Sequence, residues 1–187
     1  MANQVSALIT TLGMGRTAVL GWSMGGMIAQ ALAVLHPAQV SRLILAATQP
    51  GTGRALPIPA AAGAAAASTN PAAILSVLFP PGQASAAQAY VVGILRYPGF
   101  HQAPRATVAA QQVAVQQWMA GKVAAGGQLG QLRIPLLVAD GTLDQLDPTA
   151  NDRLLAESVP GAKLIAGHAF LFQDLASFVS AVKRFLG

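Results

Sequence analysis

Val19-Leu20-Gly21-Trp22-Ser23-Met24-Gly25-Gly26 is the stretch on which the reading of this chain turns. It joins an apolar run, Thr17 to Leu20, to a helical pattern, Met24 to Leu35. The pentapeptide Gly21-Trp22-Ser23-Met24-Gly25 therefore falls on a strand-to-helix turn. A turn this tight crowds its flanks, so small residues on both sides relieve it and the serine is pushed outward onto a helix N-terminus. Gly26 extends the relief into the helix. Without that context the pattern is weak, because 19 glycines in 187 residues make an accidental G-x-S-x-G unremarkable. The competing assignment of Ser23 is a helix N-cap followed by glycines that serve only packing.

Outward from this turn the chain alternates strands and helices. Arg42 to Ala47 reads as a second short strand, Pro135 to Ala139 as a third and Lys163 to Ala166 as a fourth, in the βαβ rhythm of a buried parallel sheet. A helix opened by Asp147-Pro148 runs to about Val159, with Asp placed to cap and Pro at the first helical position. A closing helix runs from about Asp174 to Leu186. Before the elbow, Val5, Leu8, Ile9 and Leu12 share helical spacing in an uncharged Met1 to Leu12. That is an amphipathic helix rather than a secretory signal, and a cytoplasmic location is expected. Between strands two and three lies an insert from Gln49 to Arg133. Its Leu56 to Ala67 start is rich in Pro, Ala and Gly, and helical pieces follow Asn70-Pro71, Pro81-Gly82 and Pro104. The expected organisation is a core of residues 1–48 and 134–187 with a helical cap of residues 49–133. The alanine run reads as a loop or undemanding helix, and Trp118 with Met119 as core.

Composition narrows the function classes. The chain is 19.0 kDa, one domain's worth, with 53% apolar and only 9% charged residues, against about a quarter charged in average soluble proteins. Disorder is excluded by that balance. No charge falls between Arg16 and Arg42 or between Arg54 and Arg96, yet Pro, Gly, Gln, Ser or Asn interrupt both stretches, which argues against a lipid-exposed helix and for a soluble domain without membrane partners. The absence of cysteine removes disulfides, thiolate catalysis and cysteine-ligated metals. The net charge is +5 and every acid lies at or beyond position 140. The basic residues are scattered singly, without the clustering that nucleic-acid binding requires.

A serine nucleophile needs a base and an orienting acid. Of the three histidines, His36 precedes Pro37 at a helix end and reads as a capping residue. His101 follows Tyr97-Pro98-Gly99-Phe100 inside the insert. His168, in Gly167-His168-Ala169, falls in a loop at the C-terminal end of the last strand. Among the acids, Asp140 ends a strand, Asp147 reads as a helix cap, Asp152 and Glu157 sit on that helix and Asp174 starts the next. Asp144 alone has no evident structural role and lies beyond a strand's C-terminal end, where open parallel sheets bind ligands. Asp147 and Asp140 are its alternatives.

The resulting order, Ser23 then Asp144 then His168, separates one triad arrangement from two others. The sequence resembles the α/β-hydrolase superfamily. The likeness is carried by Val19 to Gly26, by His36-Pro37 with Val40 and Arg42-Leu43-Ile44-Leu45, by Ile134-Pro135-Leu136-Leu137-Val138-Ala139-Asp140-Gly141 with Asp144, and by Gly167-His168 with Phe185-Leu186. The resemblance implies a partial α/β-hydrolase fold of about four parallel strands with flanking helices and a helical cap. It implies Ser23 as nucleophile, His168 as general base, Asp144 as the acid and the Met24 backbone N–H as an oxyanion donor. The expected activity is hydrolysis of a small, mostly apolar ester through an acyl-enzyme, with no cofactor and no metal. Haloperoxidase-like and peptidase chemistries are alternatives within the same resemblance. A full member would carry about four strands before the elbow and a His-Gly loop supplying a second oxyanion donor, and no His-Gly occurs here. The run from Lys163 to His168 is also shorter than usual in relatives. A different class of reading follows: an impaired fragment or pseudoenzyme that self-associates through an exposed sheet edge.

Overall fold

The computed structural model describes residues 1–68, 70–79, 81–96, 103–167 and 174–187. Four strands, β1 (Thr17–Trp22), β2 (Val40–Ala46), β3 (Leu136–Gly141) and β4 (Lys163–Gly167), form one sheet in the order β1-β2-β3-β4. All three pairings are parallel. Helices α1 (Ala2–Thr11) and α2 (Met24–Leu35) flank β1 in sequence. Helices α3 (Ala60–Ala66), α4 (Pro71–Leu78), α5 (Ala84–Arg96) and α6 (Arg105–Met119) lie between β2 and β3, followed by a 3-10 stretch, Ala124–Gln131. Helix α7 (Ala150–Ser158) precedes β4 and α8 (Leu175–Leu186) closes the chain. Among the described residues no helix is long and apolar enough to cross a membrane.

The alternation of sequence has a direct packing cause. Strands β2 and β3 are central, so both faces must be apolar. Every residue of β3 is accordingly buried. On one face Val40, Leu43, Leu45, Leu136 and Val138 pack with Ala29, Leu32 and Ala33 of α2 and Leu155 of α7. On the other, Ala46 and Ala139 meet Phe178 of α8. Leu32 and Leu155 are wholly inaccessible to solvent, and burying a side chain of that size contributes roughly 1.5–3 kcal/mol. Trp118 is buried with Met27 and Ala125, as core rather than as an exposed contact.

Several element ends differ from the sequence reading. β1 extends to Trp22 because Gly21 and Trp22 find register partners in Leu45 and Ala46. The helix expected to open at Asp147-Pro148 begins only at Ala150, with Thr149 at its N-cap. Asp147 is therefore not a cap: its Oδ1 accepts from Asn151 Nδ2 at 2.8 Å. Asp174 does cap, accepting from Ser177 N at 3.1 Å. The glycine-rich 3-10 stretch was not evident in sequence. Gly126 sits so close to Gly51 that an added Cβ would lie 2.6 Å from the Gly51 Cα.

One polar residue ties the segment after β2 to α7. Asn151, fully buried, accepts from the Leu56 N–H at 2.7 Å and donates to the Leu56 carbonyl at 3.1 Å. It thus satisfies both backbone groups of a residue distant in sequence, as a strand partner would.

Candidate active site

Parallel strands in this order bring the loops after β1, β2 and β3 to one end of the sheet. Ser23 follows β1 with φ 51° and ψ −124°, a left-handed conformation unusual for a residue with a side chain. Three contacts hold it there. Its N–H donates to the Ala46 carbonyl at 2.9 Å. Its carbonyl accepts from Thr48 Oγ1 at 2.7 Å and from the Gly26 N–H at 2.8 Å. Ser23 occupies the N-cap position of α2 yet makes no side-chain capping bond, and its side chain is exposed. The Met24 N–H belongs to the first turn of α2, where backbone donors have no intrahelical acceptor.

The glycines of the elbow are not equivalent. A Cβ at Gly21 would meet the Gly25 carbonyl oxygen and lie 2.7 Å from the Gly26 Cα. A Cβ at Gly26 would lie 2.5 Å from Thr48 Cγ2. At Gly25 there is nothing within 4 Å. The crowding inferred from the sequence thus falls on the first and last of the three.

Asp144 stands after β3. Its N–H donates to the Gly141 carbonyl at 3.0 Å, and its Oδ1 accepts from Leu146 N at 2.7 Å and Asp147 N at 2.8 Å. This is an Asx turn that organises residues 144–147, so Asp144 has a structural role that the sequence did not reveal. Burial raises its pKa above the ordinary aspartate value, against the lowering effect of those two N–H bonds. Gln145 Nε2 donates to the Ser76 carbonyl at 3.0 Å, which fastens α4 to the same loop.

β4 ends at Gly167, in register with Gly141 of β3. His168 lies outside the described residues, as does His101. His36 is the C-cap of α2, and its Nε2 pairs with Asn3 Oδ1 at 2.9 Å, joining α1 to α2. The structure thus brings Ser23, Met24 and Asp144 to one end of the sheet.

Three more acids share this end. Asp140, Asp147 and Asp152 are all buried. Desolvation raises Asp147 to about 7. It also raises Asp140 and Asp152, which repel one another and Asp144 in the same pocket of charge. Sequence reasoning missed this convergence because Asp152 in a helix reads by default as solvated. The available signal was the confinement of every acid to the last quarter of the chain. A separate, mostly apolar cavity of about 250 Å³ is lined by Met24, Met27, Ile28 and Ala31 of α2 with Val115 and Trp118 of α6. Ser23 does not line it.

The chain matches the family model described as serine aminopeptidase, S33, over residues 3–167. It is 27% identical over 208 aligned positions to a poly(3-hydroxyalkanoate) depolymerase of Ectopseudomonas oleovorans, covering 100% of this chain and 66% of that protein. The chain thus spans just under two thirds of that relative's length. Among solved structures, Est816, described as an N-acyl homoserine lactone degrading enzyme, superposes with a TM-score of 0.68 at 25% identity, covering 98% of this chain and 73% of the other. An α/β-hydrolase fold protein from Chitinophaga pinensis superposes with a TM-score of 0.81 at 24% identity, covering 99% and 70%. A family pattern that covers most of the chain, on a parallel sheet with a strained serine at its elbow, means that this chain belongs to the serine aminopeptidase S33 family of hydrolases within the α/β-hydrolase superfamily.

Proposed function

We propose that the chain carries the serine hydrolase site of an esterase acting on a small, mostly apolar ester or lactone. The observation that carries this reading is the left-handed, exposed Ser23 whose Oγ is not used as a helix cap. Ser23 attacks the acyl carbon, His168 accepts and returns the proton, Asp144 orients the imidazole and water releases the acyl group. The Met24 N–H stabilises the oxyanion. One similar protein is described as a poly(3-hydroxyalkanoate) depolymerase and another as an N-acyl homoserine lactone degrading enzyme, and both compounds contain an ester linkage, which supports an ester substrate here. The helices between β2 and β3 serve as the cap, fastened to the Asp144 loop by Gln145. Release of nitrophenol from a short-chain nitrophenyl ester tests the reading: saturable turnover supports it, and none above the buffer rate contradicts it.

Self-association of the 187-residue chain is part of the same proposal. Among the described residues β1 has a single sheet neighbour, β2, so the other edge of Thr17 to Leu20 presents backbone groups able to pair with a second chain. Leu8, Leu12, Met14 and Leu20 are exposed in and around the strand. Light scattering at micromolar concentration is expected to find species well above 19.0 kDa, and a monodisperse monomer contradicts it.

A further inference from the structure

Beneath the Asp144 loop, three carboxylates from three consecutive segments meet: Asp140 at the end of β3, Asp147 in the loop and Asp152 in the first turn of α7. They are 1%, 4% and 2% exposed, and one oxygen from each lies within 4.8 Å of the others. Local bonds satisfy only part of this group. Asp140 Oδ1 accepts from the Gly141 N–H at 2.7 Å, and Asp147 Oδ1 accepts from Asn151 Nδ2. Asp140 Oδ2, Asp147 Oδ2 and both Asp152 oxygens are buried and accept no hydrogen bond from an N–H or hydroxyl donor, and the Asp140 and Asp152 carboxyls face one another. Among the described residues no basic side chain offsets them. Buried carboxylates in this condition demand either protons or a cation.

A second observation comes from a neutral residue on a different segment. Gln49, just past β2, is 3% exposed, and its side-chain amide faces the Asp147 carboxyl. Its Oε1 is buried with no partner. Turning the amide over exchanges nitrogen for oxygen at the same place, so either orientation sets a polar atom of Gln49 beside the cluster, and one of them offers a further oxygen ligand. Main-chain contacts hold Gln49 there, because its carbonyl accepts from Gln30 Nε2 at 3.1 Å and from Trp118 Nε1 at 3.0 Å.

We propose that Asp140, Asp147, Asp152 and the Gln49 amide oxygen form a binding site for a divalent cation, with calcium preferred. The donor set is all oxygen, which suits hard cations and disfavours zinc or copper. Calcium, with oxygen ligands at about 2.3–2.6 Å in a flexible shell of roughly six to eight, suits a set of buried protein carboxylates better than magnesium, which at about 2.0–2.1 Å demands an octahedron and keeps several waters. Up to five oxygens are available if Asp152 binds through both of its own, and water completes the shell. A bound ion would tie β3, the Asp144 loop, α7 and the segment after β2 together. The raised pKa values of these acids fit a cluster that lacks countercharge. The proposal does not depend on the chemistry assigned to Ser23.

Two readouts test it on the full chain, terbium luminescence and thermal unfolding. Terbium, a calcium substitute, would sit near the Trp118 indole, so excitation of tryptophan should give saturable terbium emission that calcium displaces. Calcium at about a hundredfold over its dissociation constant should raise Tm by roughly 5–10 °C relative to EDTA, with a smaller rise for magnesium. Asp152→Asn should abolish both responses while its Tm in EDTA stays equal to or above that of the wild type, because an unpaired buried charge is gone. If that variant does not fold, Asp147→Asn and the wild-type calcium–magnesium comparison decide. No calcium-dependent change in wild-type Tm together with no sensitised emission overturns the proposal. Emission that persists undiminished in Asp152→Asn also overturns it, by placing the ion elsewhere.

Discussion

Gly26→Ala is expected to destabilise the fold by about 2–5 kcal/mol, while Gly25→Ala, one residue earlier, is expected to be neutral or slightly stabilising. The added methyl at position 26 would lie 2.5–2.6 Å from Thr48 Cγ2, Cβ and Oγ1. Thr48 is itself buried and cannot turn away without giving up its bond to the Ser23 carbonyl. Overpacking typically costs about 1–3 kcal/mol, and leaving a buried polar group unsatisfied about 1–3 more. At Gly25 the same methyl meets nothing within 4 Å, and alanine is the better helix former by about 1 kcal/mol. Gly21→Ala should be at least as damaging as Gly26→Ala. Its obstacles are the backbone of Gly25 and Gly26, and backbone cannot rotate aside. Urea unfolding of the three variants measures the order directly. Equal stabilities at positions 25 and 26 would mean that the elbow is not packed as described.

Ser23→Ala is expected to reduce ester turnover by at least about a thousandfold, to the level of binding and oxyanion stabilisation alone. Asp144→Asn separates the two roles of that residue. Asparagine keeps a carbonyl oxygen to accept from Leu146 N and Asp147 N, so the turn and the stability should survive. The negative charge that would stabilise an imidazolium is lost, and turnover should fall by about 10²–10⁴-fold. Steady-state kinetics beside a denaturation curve shows which occurs. A matching loss of stability and activity would make Asp144 a purely structural residue.

The elbow was legible because its cause is local. An apolar run, two crowded glycines and a helix start are all printed within eight residues, and the strand's partner only lengthened β1 by pairing Gly21 and Trp22 with Leu45 and Ala46. The parallel character of the four strands followed from their continuous apolar runs, whereas their order in the sheet is set by pairing that no single run displays. Asp147 was misread for the converse reason. Asp before Pro is a local cap signal, but the packing of α7 against β3 draws Asp147 inward and starts the helix at Ala150. Asp152 was hidden by the same cause, since burial of a helix face depends on what it packs against. Asp144 was picked out for lacking a local role, although it makes one in the turn to Asp147. The link between Leu56 and Asn151 joins residues too far apart for any sequence pattern to display.

The central claim is that Ser23 is a nucleophile, and an acyl-like adduct reports this without requiring fast turnover. Folded protein treated with a fluorophosphonate and then digested for mass spectrometry should carry one phosphonyl group, on the peptide containing Ser23. Ser23→Ala should take up none, and unfolding in urea before treatment should abolish labelling of the wild type. Labelling that is absent from the folded wild type, or that falls on other residues and persists in Ser23→Ala, would contradict the account.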